Sequence, residues 1–217
     1  MIAIRHTLVS DGVSDANLIP IIDWSLREAG GVQVSQGTRA EFWRLPSKPL
    51  NLVERVIRAM DLFPCDVLFV HRDAEREAPG ARVREIQQAV EAARERGVKL
   101  PAVAVIPVRM LEAWLLFDER AIRQAAGNPN GVADLNLPPQ QRVESRSDPK
   151  KDLAEALLAA SELSGRRRKK FDSAGAFWRI VECIEDFSPL RQLSAFQSFE
   201  NSIRSLKANN WKPGLYA

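Results

Sequence analysis

"DVLFVHRD", residues 66–73, is an uninterrupted apolar run that ends abruptly in charge. Without polar alternation, such a run is the pattern of a β-strand buried on both faces, as in a parallel sheet covered by helices. "PAVAVIPV" (101–108) has the same character. Upstream, "MIAIRHTLV" alternates, with Ile2, Ile4 and Leu8 on one side and Arg5 and Thr7 on the other, and "GVQVSQG" (31–37) reads as a short strand. Helical stripes separate these strands. One carries Leu18, Ile19, Ile21, Ile22 and Leu26, with Pro20 in its early turns and Ser14 or Asp15 as its cap. A second carries Leu52, Val53, Val56, Ile57 and Met60 and closes at Pro64. A third, over 81–96, is polar with a thin stripe of Val83, Ile86 and Val90, and another helix is expected from about Met110. Strand and helix therefore alternate four times. That order predicts an α/β fold, a mostly parallel sheet with helices on both faces.

The texture changes after Asp118. "GNPNGVADLNLPPQQRVESRSDP" is rich in Pro, Asn and Ser and reads as a long loop. Helical patterns return at 149–163, 171–186 and 194–206. The expected organisation is an α/β core over 1–125, a loop over 126–148, and a C-terminal helical appendage over 149–217 packed on that core. Hydrophobic content of 45% and charged content of 27% are ordinary for a globular protein. No stretch approaches the roughly 18 uninterrupted apolar residues of a membrane span, and no signal or transit peptide is expected from the strand-like "MIAIRHTLV". Cys65 and Cys183 are isolated, without metal-ligand spacing, which suits a reducing cytoplasm. The net charge of +3 does not by itself call for nucleic acid.

In open parallel sheets, functional groups gather where strands end at the carboxyl edge. Three strands here end in acids: the first delivers Asp11 and Asp15, the third Asp73 and Glu75, and the fourth is followed by Glu112. If those strands are neighbours, the carboxylates converge, and a hard divalent cation takes one or two carboxylates plus water and substrate phosphate. Such an ion polarises a phosphodiester and activates water. Gly12 would allow close backbone approach. Each position also has a plainer use. Asp11, Ser14 and Asp15 suit a strand-to-helix turn, and "HRDAERE" suits a solvated loop with internal ion pairs. His71 suits a satisfied core histidine, and Glu112 a carboxylate paired with Arg109, a cap or a metal.

At these residues the chain resembles the Toprim domain of type IA and II topoisomerases, bacterial primases, overcoming-lysogenization-defect (OLD) nucleases and RecR proteins. "DGVSD" (11–15) is similar to that domain's first motif, with Asp11 in place of glutamate. "HRD" (71–73) is similar to its Asp-x-Asp motif, with His71 in place of the first aspartate. Over nearly its full length the chain resembles a Toprim-like family of bacterial proteins of unknown function. The resemblance rests on "MLEAWLLFD" (110–118), "DPKKDL" (148–153) and "QSFENSIRSL" (197–206). It implies a Toprim-like fold and Mg²⁺ or Mn²⁺ held by Asp11, Asp73 and Glu112, with Asp15 and Glu75 assisting. His71 would be an extra ligand or a base. The implied activity is nucleic-acid phosphodiester cleavage in bacterial defence, with an ABC- or AAA-type ATPase as a partner and a homo-oligomer as a further association. Two departures bear on this. Asp11 is one methylene shorter than glutamate, a displacement large enough to misplace a catalytic group. Imidazole suits Mn²⁺ and softer ions better than Mg²⁺. Such a site is active, retuned, or inactive and regulatory.

"RRRKK" (166–170) places five cations ahead of a helix. Arg166, Arg167, Arg168, Lys169 and Lys170, joined by Lys150 and Lys151, are the candidate grip on nucleic acid, through counterion release; a solvated loop is the plain alternative. Trp24, Trp114 and Trp178 fall on apolar stripes and are expected in the core, whereas Trp43 and Trp211 are more open.

Overall fold

A computed structural model describes residues 3–208 except 44, 76, 78 and 98, so Trp211 lies outside the described residues. Four strands, β1 (Ala3–Val9), β2 (Val34–Arg39), β3 (Val67–His71) and β4 (Ala102–Val105), form one sheet in the order β2-β1-β3-β4. All three pairings are parallel, with Leu8 opposite Phe69 and His71 opposite Val105. The α/β expectation is met.

The chain divides into two compact units, one of residues up to Ile106 together with those from Ser198, the other Pro107–Gln197. In the first unit, helices cover both faces of the sheet. Helix α1 (Leu18–Glu28) lies on the face carrying His6, whose Nε2 meets Asp23 Oδ1 at 2.8 Å. On the other face, Val56 and Ala59 of α2 (Leu52–Leu62) and Ile86, Val90 and Ala93 of α3 (Pro79–Glu95) join Val9, Leu68 and Val70 in one buried cluster. Every residue of β3 is buried, as the unbroken run predicts. Phe69 is fully enclosed, with His6 edge-on at 5.3 Å between ring centroids and Phe199 at 6.1 Å.

The junction between β1 and α1 differs from expectation. A 3-10 turn, Ser14–Asn17, intervenes, and α1 starts at Leu18 without a side-chain cap. Pro20 therefore stands in the first turn of α1, where an amide has no intrahelical acceptor to lose. Asn51 caps α2 through the Glu54 amide at 2.9 Å.

Gly37 of β2 shows how tightly the α1 face is closed. A Cβ built there would lie 2.5 Å from both His6 Cε1 and Ile19 Cγ2. Gly37→Ala is therefore expected to destabilise by about 1–3 kcal/mol, as overpacking does. Urea unfolding should show a lower midpoint with an unchanged slope.

The second unit is helical: α4 (Glu119–Ala125), α5 (Pro149–Ala160), α6 (Gly165–Lys169) and α7 (Ser173–Cys183), followed by the first turn of α8 (Ser194–Ala208). "MLEAWLLFD" is not one α-helix. Leu111–Leu115 is a 3-10 segment, and Asp118 starts α4 afresh by accepting the Ala121 amide at 2.9 Å. Pro149 opens α5 behind an Asp148 cap on the Lys151 amide at 3.0 Å, the arrangement helix starts favour. The expected loop contains one 3-10 turn, Gln140–Ser145, and the basic run is itself the short helix α6. Trp24 and Trp114 are buried, but Trp178 is 38% exposed, so its place on an apolar stripe does not put it in the core.

Candidate functional site

The order β2-β1-β3-β4 sends the chain outward in opposite directions from the β1/β3 pair. That makes the gap beyond their carboxyl ends the topological switch point where open α/β sheets bind ligands. The loops leaving these two strands carry "SDGVSD" and "RDAE".

Asp15, His71 and Asp73 come together there. The His71 imidazole is buried at the end of β3, and its Nδ1 lies 2.9 Å from the Val105 carbonyl of β4. A carbonyl only accepts, so Nδ1 carries the proton and Nε2 faces the carboxylates. Asp73 Oδ1 is 3.4 Å from Nε2 and Asp15 Oδ1 is 3.9 Å away. Asp73 Oδ1 is buried and accepts no hydrogen bond of ordinary geometry among the described residues. Asp15 is oriented by its own loop, its Oδ2 accepting the Gly12 amide at 2.7 Å. Gly12 matters by its smallness, since a Cβ there would sit 3.3 Å from Asp15 Oδ1 and from Ser14 Oγ.

Burial alone would lower the pKa of His71, but the Asp73 carboxylate, followed by the charge of Asp15 and the Val105 carbonyl, raises it above the ordinary 6.5. The two carboxylates thus favour the protonated form of the ring. A raised folded value means the stabilisation is fully present below the unfolded pKa and is lost as pH climbs through the folded one. In EDTA, the urea midpoint is expected to fall between pH 6 and pH 9, and His71→Gln is expected to remove that part of the fall.

Asp11 does not join this cluster. Its Oδ1 accepts from Arg55 of α2 and its Oδ2 from Arg72, so a different guanidinium takes each oxygen. Arg72 continues to Glu85 at 3.1 Å, and Glu85 accepts from Arg82 at 2.9 Å. Arg82 also donates from Nε to the Asp73 carbonyl at 3.2 Å, fixing the loop that carries that carboxylate. Glu75 is well exposed, adopts φ 54°, and meets Arg82 at 3.8 Å. Glu112 belongs to the second unit, half-buried in the 3-10 segment Leu111–Leu115. Among the described residues, no group of three or more His, Cys, Asp and Glu side chains is arranged to hold a metal ion.

The donor chemistry at Asp15, His71 and Asp73 fits a cation held loosely, by one or two carboxylates with water and substrate oxygens. Asp73 Oδ1 and the His71 Nε2 that lies 3.4 Å from it are two such donors. The Val105 carbonyl is the partner that typically orients a metal-binding histidine. A cation held at Nε2 would need that nitrogen unprotonated.

Of the residues the sequence singles out, Asp15, His71 and Asp73 lie together, and Asp11 is met by Arg55 and Arg72, which the sequence does not single out. Arg72 lies within "HRD", and nothing in the sequence of α2 marks Arg55.

In the second unit, Arg166 to Lys170 are all exposed, and no ion pair engages them among the described residues. Lys150 and Lys151 are also exposed, Lys151 standing 3.8 Å from Glu155. Comparison with protein-family models, curated proteins and solved structures returns no match for this chain.

Proposed function

We propose that the chain is a divalent-metal-dependent nucleic-acid phosphodiester hydrolase whose reaction centre is the Asp15–His71–Asp73 cluster. One observation carries the reading: these three side chains meet at the β1/β3 switch point, with Asp73 Oδ1 3.4 Å and Asp15 Oδ1 3.9 Å from His71 Nε2. Mg²⁺ or Mn²⁺, once bound, would supply Lewis-acid activation of the phosphodiester and of water. His71, fixed by the Val105 carbonyl, presents Nε2 to the site. Asp15 is held in place by the Gly12 amide, and Asp73 by Arg82 through its own carbonyl. The half-exposed Asp73 carboxylate can also accept a proton from an attacking water. The exposed cations of α6, with Lys150 and Lys151, suit the backbone of a nucleic acid. No helix among the described residues is long and apolar enough to cross a membrane. Cytoplasmic placement is supported by Cys65 and Cys183, both free.

A second reading has its own observation. The Asp11 carboxylate is fully engaged by two arginines, and among the described residues no three-member ligand group is preassembled. That arrangement suits a catalytically degenerate Toprim-like module that binds an ABC- or AAA-type ATPase and regulates it.

The two readings part in one experiment. Purified protein is incubated with plasmid and with single-stranded oligonucleotide in Mg²⁺ and in Mn²⁺, beside Asp73→Ala. Cleavage that requires the cation and disappears in the variant supports the hydrolase. No cleavage in either metal, or equal cleavage by the variant, supports the regulator.

A further inference from the structure

Arg55 and Arg72 come from different elements, α2 and the loop after β3, yet both close on the single carboxylate of Asp11. Their side chains are only 29% and 25% exposed, whereas that of Asp11 is 50% exposed. The guanidiniums are thus seated in the fold and the carboxylate is the part that solvent reaches. Among the described residues, the Arg55 guanidinium has no other ion-pair partner. Two convergent guanidiniums offer planar donor forks that match a tetrahedral phosphoryl group better than one carboxylate does. Solvent-exposed ion pairs of this kind are individually worth at most about 1 kcal/mol, so an incoming anion displaces the carboxylate at small cost.

We propose that Arg55 and Arg72 form a phosphate-binding site at the carboxyl edge of the sheet and that Asp11 is its internal stand-in. Asp11 occupies the site until a phosphate group takes its place. Asp11 is therefore a latch on an anion site, in place of the metal-ligand role that the Toprim resemblance implies for it. The proposal rests on reading the β1/β3 edge as a phosphoryl-transfer centre, for which this pair would seat a phosphate of the substrate.

The test is run in EDTA, so that it stands apart from any cation-dependent cleavage. Binding of inorganic phosphate is followed by ³¹P line broadening, and binding of a short thymidine oligonucleotide by fluorescence anisotropy. Asp11→Asn should bind about tenfold more tightly than wild type, the equivalent of relieving two exposed ion pairs. Adding Arg55→Gln or Arg72→Gln should abolish that gain. Tightening in both arms identifies a phosphodiester backbone as the occupant, and tightening with inorganic phosphate alone identifies a small phosphate. Either supports the site. Asp11→Asn binding no tighter in either arm, or a gain that survives loss of both arginines, overturns it. A second reading needs no variant: phosphate should shift two arginine Nε–H resonances of the wild-type protein, and unmoved resonances count against the proposal.

Discussion

Asp73→Ala is expected to lower cation-dependent cleavage by at least about a hundredfold while lowering the unfolding midpoint only by its share of the His71–Asp73 ion pair. Asp73 follows β3 by two residues, and its carbonyl is held by Arg82 Nε, so the loop keeps its course without the side chain. The carboxylate itself is 36% exposed, and its Oδ1 lies 3.4 Å from His71 Nε2. Removing it therefore takes away a ligand or proton acceptor and little packing. Losing one well-placed polar group at a reaction centre costs roughly 10²–10³ in rate. Asp15→Asn should behave similarly but retain more activity, because it keeps one oxygen to accept the Gly12 amide. The measurement is initial cleavage rate in Mn²⁺ with thermal unfolding in parallel. A rate loss that tracks a collapse of the fold would remove the support.

The largest effect on stability is expected from Phe69→Ala, about 3–5 kcal/mol, as for other buried aromatics truncated to alanine. Phe69 is fully buried at the centre of β3 and contacts the rings of His6 and Phe199 edge-on. A protein of this kind has a total stability of about 5–15 kcal/mol, so the variant should melt roughly 10 °C lower. His71 lies two residues further along the same strand face, so the loss should also loosen its hold on the Val105 carbonyl. Val132→Ala is the control. Val132 is 88% exposed, and the hydrogen bond its backbone N–H donates to Glu162 does not involve its side chain. Its midpoint should move by no more than about 0.5 kcal/mol equivalent.

The fold was legible where burial and period agree. "DVLFVHRD" permits no solvent face, and the stripes of α1 and α2 each define one buried side, so strand, crossover helix and strand followed directly. "MLEAWLLFD" was less legible because apolar density reports burial and not helical pitch. Leu111, Ala113, Trp114, Leu115 and Leu116 are all buried, leaving no polar face from which to read a period. The basic α6 was hidden by its composition, five residues without a side-chain cap.

The site was half legible. Strand ends placed Asp15, His71 and Asp73 correctly at one edge, because parallel neighbours put successive loops together. The fate of Asp11 was not legible, since its partners lie 44 and 61 residues away and ion pairing leaves no periodic trace. Its shorter side chain, which the motif comparison singled out, is accommodated by two arginines.

The proposed cation seat is tested most directly by Mn²⁺ binding, measured by electron paramagnetic resonance on the purified chain without substrate or partner. Saturable binding of Mn²⁺ is expected, strengthening as pH rises from 6 to 8 and lost in both His71→Ala and Asp73→Ala while the fold is retained. No bound Mn²⁺ at millimolar concentration, or binding undiminished in both variants, would contradict the proposed seat.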